Sequence, residues 1–326
     1  MKTHVWLMNM GGPDHPDAVQ PFLNRLLSDR HLVEFPIPWL QWCFAAIISR
    51  KRARVVAGEY AKMGGASPQL AMVREQADAL EQELGEGFAC SPVFRYWGEG
   101  AEAAMDQVEP RDTVVLLSLY PHACGATTTS SLLDAHAALE GHAGRVVEVE
   151  RYPRHSGWVA AVTECIEEAC AGLDEPYLLF SAHGLPQRRI DAGDPYLDQV
   201  LATVEEVMQS MSHRRYSLSF QSKVGPLQWL EPSTLDEVAR VGASGVRELV
   251  IVPVAFTSEH IETIVEIGEQ IRDVALEAGV ERFVRCQTVQ ARPTYIRALA
   301  DLTRSALSGT VCPGDRTCSV CSCSPA

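Results

Sequence analysis

Short apolar runs alternate with longer amphipathic segments along almost the whole chain. The runs are VWLMNM (5–10), the stretch around PVFRYW (92–97), TVVLLSLY (113–120) and RVVEVERY (145–152), then YLLFSAH (177–183), YSLSFQS (216–222), ELVIVPVAF (248–256) and RFVRCQT (282–288). Between them lie helix-like segments such as VREQADALEQEL. This alternation predicts an α/β fold in which helices cover both faces of parallel sheets. Ser233 followed by Thr234-Leu235-Asp236-Glu237 predicts a helix start, because a hydroxyl cap and an acid three residues on can satisfy free backbone N–H groups. Two doubly wound halves follow, 1–150 and 151–308, with a Cys-rich tail at 309–326. The last helix, PTYIRALADLTRSAL, is free to pack back on the first half. No internal repeat or low-complexity tract is evident.

A length of 326 residues suits two domains of about 150 residues each. Hydrophobic residues at 46% and charged residues at 21% argue for a folded enzyme-sized protein rather than a disordered one. The formal charge of −14 gives no basic footprint and argues against nucleic acid as a partner. MKTHVWLMNMGGPD reaches Gly-Gly-Pro before a signal-peptide apolar run can develop, which predicts a cytoplasmic chain. The most lipophilic stretch, PIPWLQWCFAAIIS (36–49), is shorter than the about 20 apolar residues a bilayer span needs. Two readings of it stay open. In one, Trp39, Trp42 and Phe44 anchor at the inner face of a membrane, and Arg50, Lys51, Arg52 and Arg54 meet anionic headgroups. In the other, it is a buried helix with a solvated charged end.

In open α/β sheets ligands bind beyond the carboxyl ends of the strands. The segments there are NMGGP, RYWGEG, YPHACGATTTSS, SAHGLP, QSKVGP and FTSEHIE, rich in glycine, proline, hydroxyls and histidine. His183 ends a strand. Glu262, Glu266 and Glu269 recur at i, i+4 and i+7, which places them on one face of a helix. Facing a cleft, they would form an acidic ladder that attracts a hard or borderline divalent cation. Glu259 and His260 stand at the helix start, where a carboxylate also gains from the helix dipole. Met10, Tyr60, Tyr96, Trp229 and Phe256 lie at or near strand ends and offer apolar walls, while Arg52, Ser67 and Arg95 offer donors for carboxylates. A carboxylated macrocycle awaiting a metal would need this combination.

The segments MNMGGP, YAKMGGASP, FRYW, YPHACGATTTSS, LLFSAHGLP with its following GDPY, FQSKVGPLQWLEPST and VPVAFTSEHIET resemble those of ferrochelatases, in order and over nearly the whole chain. The resemblance implies two Rossmann-like, chelatase-type domains with a porphyrin cleft between them, and insertion of Fe²⁺ into a porphyrin to give haem. Carried over residue by residue, His183 matches the family's active-site histidine and Glu262 the carboxylate opposite it. Glu259 and His260 adjoin them; Glu259 stands where the family often has aspartate, and Ala66 where a third glycine is common. Met10, Trp229 and Phe256 match macrocycle contacts, and Arg52, Tyr60, Ser67 and Arg95 match polar residues of the porphyrin pocket. The 36–54 stretch resembles the lip of membrane-associated members.

Metallation must remove two pyrrole protons and strip water from Fe²⁺, so a neutral imidazole suits the first task and carboxylates the second. His183 is expected to accept protons, with Glu262, Glu266 and Glu269 as the metal or proton path and Glu259 and His260 beside them. Protoporphyrin IX is the expected porphyrin, favoured over coproporphyrin III by the membrane-like lip. A non-catalytic haem or porphyrin carrier is the alternative from another class. Monomer and homodimer stay equally open.

The tail, TVCPGDRTCSVCSCSPA, holds Cys312, Cys318, Cys321 and Cys323, four of the ten cysteines. Dense cytosolic clusters more often bind metal than form disulfides. Structural zinc is the generic reading, and the resemblance adds a [2Fe-2S] cluster, often with one internal ligand. Cys124 lies within one residue of such a position, so the ligands are either the four tail thiolates or Cys124 with three of them. Cys43, Cys90, Cys165, Cys170 and Cys286 are expected as small buried hydrophobes.

Overall fold

A computed structural model of the chain describes residues 1–33, 37–211 and 215–309. The chain divides into two compact units, Met1–Tyr152 with the chain from Ile296, and Pro153–Tyr295.

The first unit is built on β1 (Thr3–Asn9), β2 (Phe88–Phe94), β3 (Thr113–Ser118) and β4 (Val146–Val149), all parallel in the order β2-β1-β3-β4. Its helices are α1 (Val19–Ser28), α2 (Pro38–Ala61), α3 (Gln69–Leu84), α4 (Ala101–Met105) and α5 (Ser130–Ala138). Val5, Trp6, Leu7 and Met8 are all buried, so β1 is covered on both faces, as a central parallel strand must be. On one face Trp6, Met8, Val114 and Leu116 pack with Leu132, Ala135 and Leu139.

The second unit repeats the winding. Its strands are β5 (Tyr177–His183), β6 (Tyr216–Gln221), β7 (Glu248–Pro253) and β8 (Arg282–Arg285), parallel in the order β6-β5-β7-β8. Around them run α6 (Ser156–Cys170), α7 (Gln187–Asp191), α8 (Tyr196–Ser210), α9 (Thr234–Ala243) and a π-helix (Glu262–Ile271) that continues as α10 (Arg272–Glu277). Ser233 caps α9, its side chain accepting from the Asp236 N–H at 3.2 Å, as its hydroxyl-acid pattern predicts. Leu179, Leu249 and Ile251 pack against Val238, Val241, Ile267 and Ile271. The closing helix, α11 (Pro293–Ser308), joins the first unit from Ile296 onward. There Arg145 Nη1 donates to Leu307 O at 2.8 Å and Arg304 Nη2 to Glu83 O at 2.9 Å.

The lipophilic stretch belongs to α2, and its burial runs against its composition. Gln41, Ala45, Ser49, Val56 and Tyr60 form the buried stripe, while Trp39 and Trp42 are 67% and 72% exposed. Polar groups set this orientation: Gln41 Nε2 donates to Leu27 O at 3.1 Å and Val33 O at 3.0 Å, and Gln20 Nε2 donates to Ser49 Oγ at 3.1 Å. The buried-helix reading therefore fails for the two tryptophans. It fails also for Cys43, which is exposed, and Cys90 is only partly buried, whereas Cys165, Cys170 and Cys286 are buried as expected. Among the described residues no helix is long and apolar enough to cross a membrane.

Candidate active site

In the second sheet the strand order reverses between β5 and β7, and the carboxyl ends of these two strands flank the point where such folds bind ligands. His183 is the last residue of β5, and the segment after β7 leads into the π-helix. Glycine follows His183 for a steric reason. A Cβ on Gly184 would lie 2.9 Å from Gln221 O and 3.2 Å from Trp229 Cε3, so only a bare backbone lets the turn pass there.

His183 Nδ1 lies 3.1 Å from Glu262 Oε2, and His260 Nε2 approaches the same oxygen at 3.3 Å. Tyr196 OH donates to His183 O at 3.0 Å, which fixes the strand end. The Phe256 ring is 4.6 Å from that of His260. Gln221, held by Ser181 Oγ at 2.7 Å, donates through Nε2 to Glu262 O at 3.1 Å and Glu266 Oε2 at 3.2 Å. Glu266 also accepts from Ser222 N at 2.8 Å and Ser222 Oγ at 2.6 Å. The sequence therefore pointed to His183, His260, Glu262 and Glu266 as a group, and the structure brings them together. Gln221 and Ser222 were missed as individuals although the QSKVGP segment after β6 marked their position.

Burial and charge act against each other on these groups. Burial pulls the His183 imidazole down, but the Glu262 carboxylate outweighs it and the pKa stands raised above the ordinary value. Burial pushes Glu262 up, yet His183 and then His260 hold it well below the usual carboxylate range. Glu266 is raised by burial and by the Glu262 charge, partly opposed by its bonds to Ser222. Two carboxylates one turn apart are thus driven in opposite directions, one held ionised and the other made readier to keep a proton. The side chains of His183 and Glu262 remain 36% and 30% exposed, so both can be reached. Among the described residues no group of three or more His, Cys, Asp or Glu is arranged to hold a metal ion. His183 and His260 are instead turned toward one Glu262 oxygen.

Two other acids of the expected path stand apart. Both oxygens of Glu259 are engaged: Oε2 by Thr263 Oγ1 and Arg285 Nη1, each at 2.6 Å, and Oε1 by Thr288 N at 2.8 Å and Thr288 Oγ1 at 3.2 Å. Glu269 leaves the stripe because the helix is not an α-helix. With i→i+5 hydrogen bonds a seven-residue step falls short of two turns, so Glu262 and Glu266 share a face that Glu269 does not.

In the first unit, Met10, Arg95, Tyr96 and Ser67 gather at the carboxyl edge of the sheet. Arg95 N donates to Asn9 O at 2.9 Å, Tyr96 N to Met10 O at 3.0 Å and Ser67 N to Pro13 O at 2.7 Å. Tyr60 is buried on α2, its carbonyl accepting from Gly65 N at 2.9 Å, and Arg52 is exposed on the same helix. The Arg95 guanidinium, expected as a donor for a ligand carboxylate, is held by Ser130 Oγ at 2.8 Å, Asp134 Oδ1 at 3.1 Å and Asp29 Oδ2 at 3.3 Å. Asp29 also accepts from Tyr96 OH at 2.9 Å, from His31 N at 2.7 Å and from Ser130 Oγ. Burial raises Asp29, but these donors prevail and its pKa is lowered. Asp29 and Asp134 carried no signal in the sequence, and Ser130 was marked only as part of the YPHACGATTTSS segment. In the second unit, Trp229 Nε1 donates to Val224 O at 3.1 Å.

Cys124 is buried, its Sγ 3.1 Å from Thr127 Oγ1. Cys312, Cys318, Cys321 and Cys323 lie outside the described residues.

Comparison with known proteins identifies the family. The model of the ferrochelatase family matches residues 2–307. The chain is 42% identical over 315 residues to the ferrochelatase of Geotalea uraniireducens, covering 94% of this chain and 98% of the relative. It is 38% identical over 310 residues to that of Aquifex aeolicus, covering 94% and 99%, and 34% identical over 325 residues to that of a Synechocystis species, covering 95% and 84%. In structure it is similar to SirB from Bacillus subtilis with Fe³⁺, at a TM-score of 0.57 and 10% identity over 94% of this chain and 96% of that one. It is also similar to CbiX, the terminal enzyme for biosynthesis of siroheme in denitrifying bacteria, at a TM-score of 0.53 and 13% identity over 94% and 99%. At those identities the two structures speak for the fold alone. Matched by the family model over nearly its whole length and by relatives of that name along theirs, the chain belongs to the ferrochelatase family, enzymes that insert iron into a porphyrin.

Proposed function

We propose that the porphyrin is protoporphyrin IX, that Fe²⁺ is the metal, and that His183 accepts the pyrrole protons. The carrying observation is the 3.1 Å contact between His183 Nδ1 and Glu262 Oε2. With Nδ1 committed to the carboxylate, Nε2 is the atom that takes a ring proton, and the imidazolium so formed sits beside a charge that stabilises it. Two N–H bonds break and two protons leave as the iron–nitrogen bonds form. Glu262, Glu266 and His260 form the path for the iron or the departing protons, and the readiness of Glu266 to hold a proton supports it as the next acceptor. Glu259 and Glu269 are left out of this path, the first because its oxygens are engaged, the second because of the helix winding.

Two features support a porphyrin with two carboxylates over one with four. Arg95 is taken up by Asp29 and Asp134, which removes a cation from the pocket rim, and Arg52 stands exposed to meet a propionate. The exposed Trp39 and Trp42 on α2, with exposed Arg50, Lys51, Arg52 and Arg54 along the same helix, support peripheral contact with an anionic membrane from which an apolar porphyrin could be drawn. Met10, Trp229 and Phe256 are the proposed macrocycle contacts, and Tyr60, Ser67 and Tyr96 are proposed as further porphyrin-binding residues.

The Cys-rich tail supports a resident [2Fe-2S] cluster on Cys312, Cys318, Cys321 and Cys323, with the buried Cys124 thiol in reserve for one of them. Protein purified without oxygen should then carry iron and sulfide and a thiolate-to-iron visible absorption; their absence would favour zinc.

The test of the main reading is anaerobic, Fe²⁺-dependent loss of porphyrin fluorescence with protoporphyrin IX and with coproporphyrin III, for the native protein and for His183→Ala. Rapid turnover of protoporphyrin that the variant lacks supports it. Preference for coproporphyrin corrects the substrate, and binding without turnover removes His183 from its role.

A further inference from the structure

Arg285 closes β8, and its guanidinium pairs with Glu259 in the segment between β7 and the π-helix. The Glu259 side chain is only 5% exposed, yet four donors reach its carboxylate, from Arg285, Thr263 and both polar groups of Thr288. A buried carboxylate so surrounded is satisfied and fixed in place.

Its effect passes through the Thr263 hydroxyl. That hydroxyl has one proton and two acceptors within reach: Glu259 Oε2 at 2.6 Å and His260 O at 3.1 Å. The nearer, carboxylate oxygen takes the proton. The oxygen lone pairs are then turned to the His260 N–H, which donates to Thr263 Oγ1 at 3.0 Å. The backbone of His260 is thereby held in one orientation just before the ring that meets Glu262. Arg285 also runs close to the π-helix, where its Cδ and Nε leave room for a Cβ on Gly268 only at 3.7 Å.

We propose that Arg285, acting through Glu259 and Thr263, is a positioning residue for His260 and sets how iron is handled at the Glu262–Glu266 face. The inference rests on the reading that this face is the iron path. It assigns Glu259 a role in geometry rather than in coordination, and it brings into the reaction a strand-end arginine distant in sequence from the motif it serves. Without Arg285 the Glu259 carboxylate is no longer held against the Thr263 hydroxyl, the hydroxyl can turn toward His260 O, and the His260 N–H contact that fixes the imidazole on Glu262 is weakened.

The experiment uses the full chain with Arg285→Met, Arg285→Lys and Thr263→Val, varying Fe²⁺ and porphyrin separately and counting active sites by porphyrin binding. The expected result for Arg285→Met and Thr263→Val is a rise in KM for Fe²⁺ of about tenfold or more. Porphyrin affinity and binding stoichiometry stay unchanged. Arg285→Lys keeps the charge with a poorer fit and recovers part of the loss. Activity lost only in proportion to active sites, with both KM values unmoved, means a structural role and overturns the proposal. A native protein that inserts no iron overturns the underlying reading and this inference together, and is recognised because every variant is then equally silent. Should Arg285→Met fail to fold, Thr263→Val decides alone, since it changes no buried charge.

Discussion

His183 at the end of β5 and Glu262 at the start of the π-helix meet at 3.1 Å through Nδ1 and Oε2, joining the last residue of one strand to the first turn of a helix 79 positions later. This contact makes the imidazole more basic than its burial alone would, and it holds the carboxylate ionised.

The pH dependence of turnover should therefore depend on Glu262. His183 must be neutral to take a proton, and its raised pKa places the acid limb of the kcat/KM profile above that of an ordinary imidazole. Glu262→Gln removes the charge that raises it and leaves the burial that lowers it, so the acid limb should move to lower pH. The plateau should fall by about a hundredfold or more if the acid–base pair is broken. An acid limb that stays where it is would show that Glu262 does not set the basicity of His183.

Gly184→Ala tests the close turn. The added methyl meets Gln221 O at 2.9 Å and the Trp229 ring at 3.2 Å, so backbone or indole must shift. The expected cost is about 1–3 kcal/mol, seen as a lower urea midpoint at unchanged slope. Wild-type stability would mean that the turn relaxes without strain.

Asp29→Asn tests the polar knot around Arg95. The carboxylate is 3% exposed and faces Arg95, Tyr96 and Ser130, so neutralising it should cost about 3–5 kcal/mol at neutral pH. Its folded pKa lies below the unfolded one, so this stabilisation is present above the unfolded value of about 3.9 and is lost as pH falls through the folded value. Urea unfolding of native and variant protein should accordingly converge in acid. A gap that does not narrow would assign the cost to packing.

Replacing Trp39 and Trp42 together by serine should abolish sedimentation with anionic vesicles and leave turnover of detergent-dispersed porphyrin in place. Both rings are already exposed, so the fold loses little. Equal sedimentation of variant and native protein would remove α2 as the contact.

The strands were legible because each is a nearly unbroken apolar run bounded by glycine, proline or hydroxyls. Their observed ends fall short of the apolar runs where the backbone intervenes. β7 stops at Pro253, and β6 stops before Ser222, which has a positive φ of 64°. The meeting of His183 with Glu262 was legible in part, because one ends a strand and the other opens the glutamate series of the next helix. Glu269 was misplaced because π winding leaves no mark in residue types; the same glutamates would form a stripe on an α-helix. The knot of Asp29 with Ser130 spans 101 positions, and no local pattern announces a pair so far apart. The tryptophans of α2 misled for another reason: composition says how apolar a helix is, whereas the partners of Gln41 and Ser49 decide which side faces in.

The interrupted first unit has a consequence for synthesis. Pro153–Tyr295 is one continuous stretch, so the inserted unit is fully available to a nascent chain while the unit that began earlier still lacks the helical residues from Ile296. The part begun first is thus completed after the second unit, with Leu307 O and its neighbours arriving at Arg145 only once Pro153–Tyr295 has been made. A stop just before Ile296 would leave the second unit whole and injure the first, whose strands lie far upstream of the lesion.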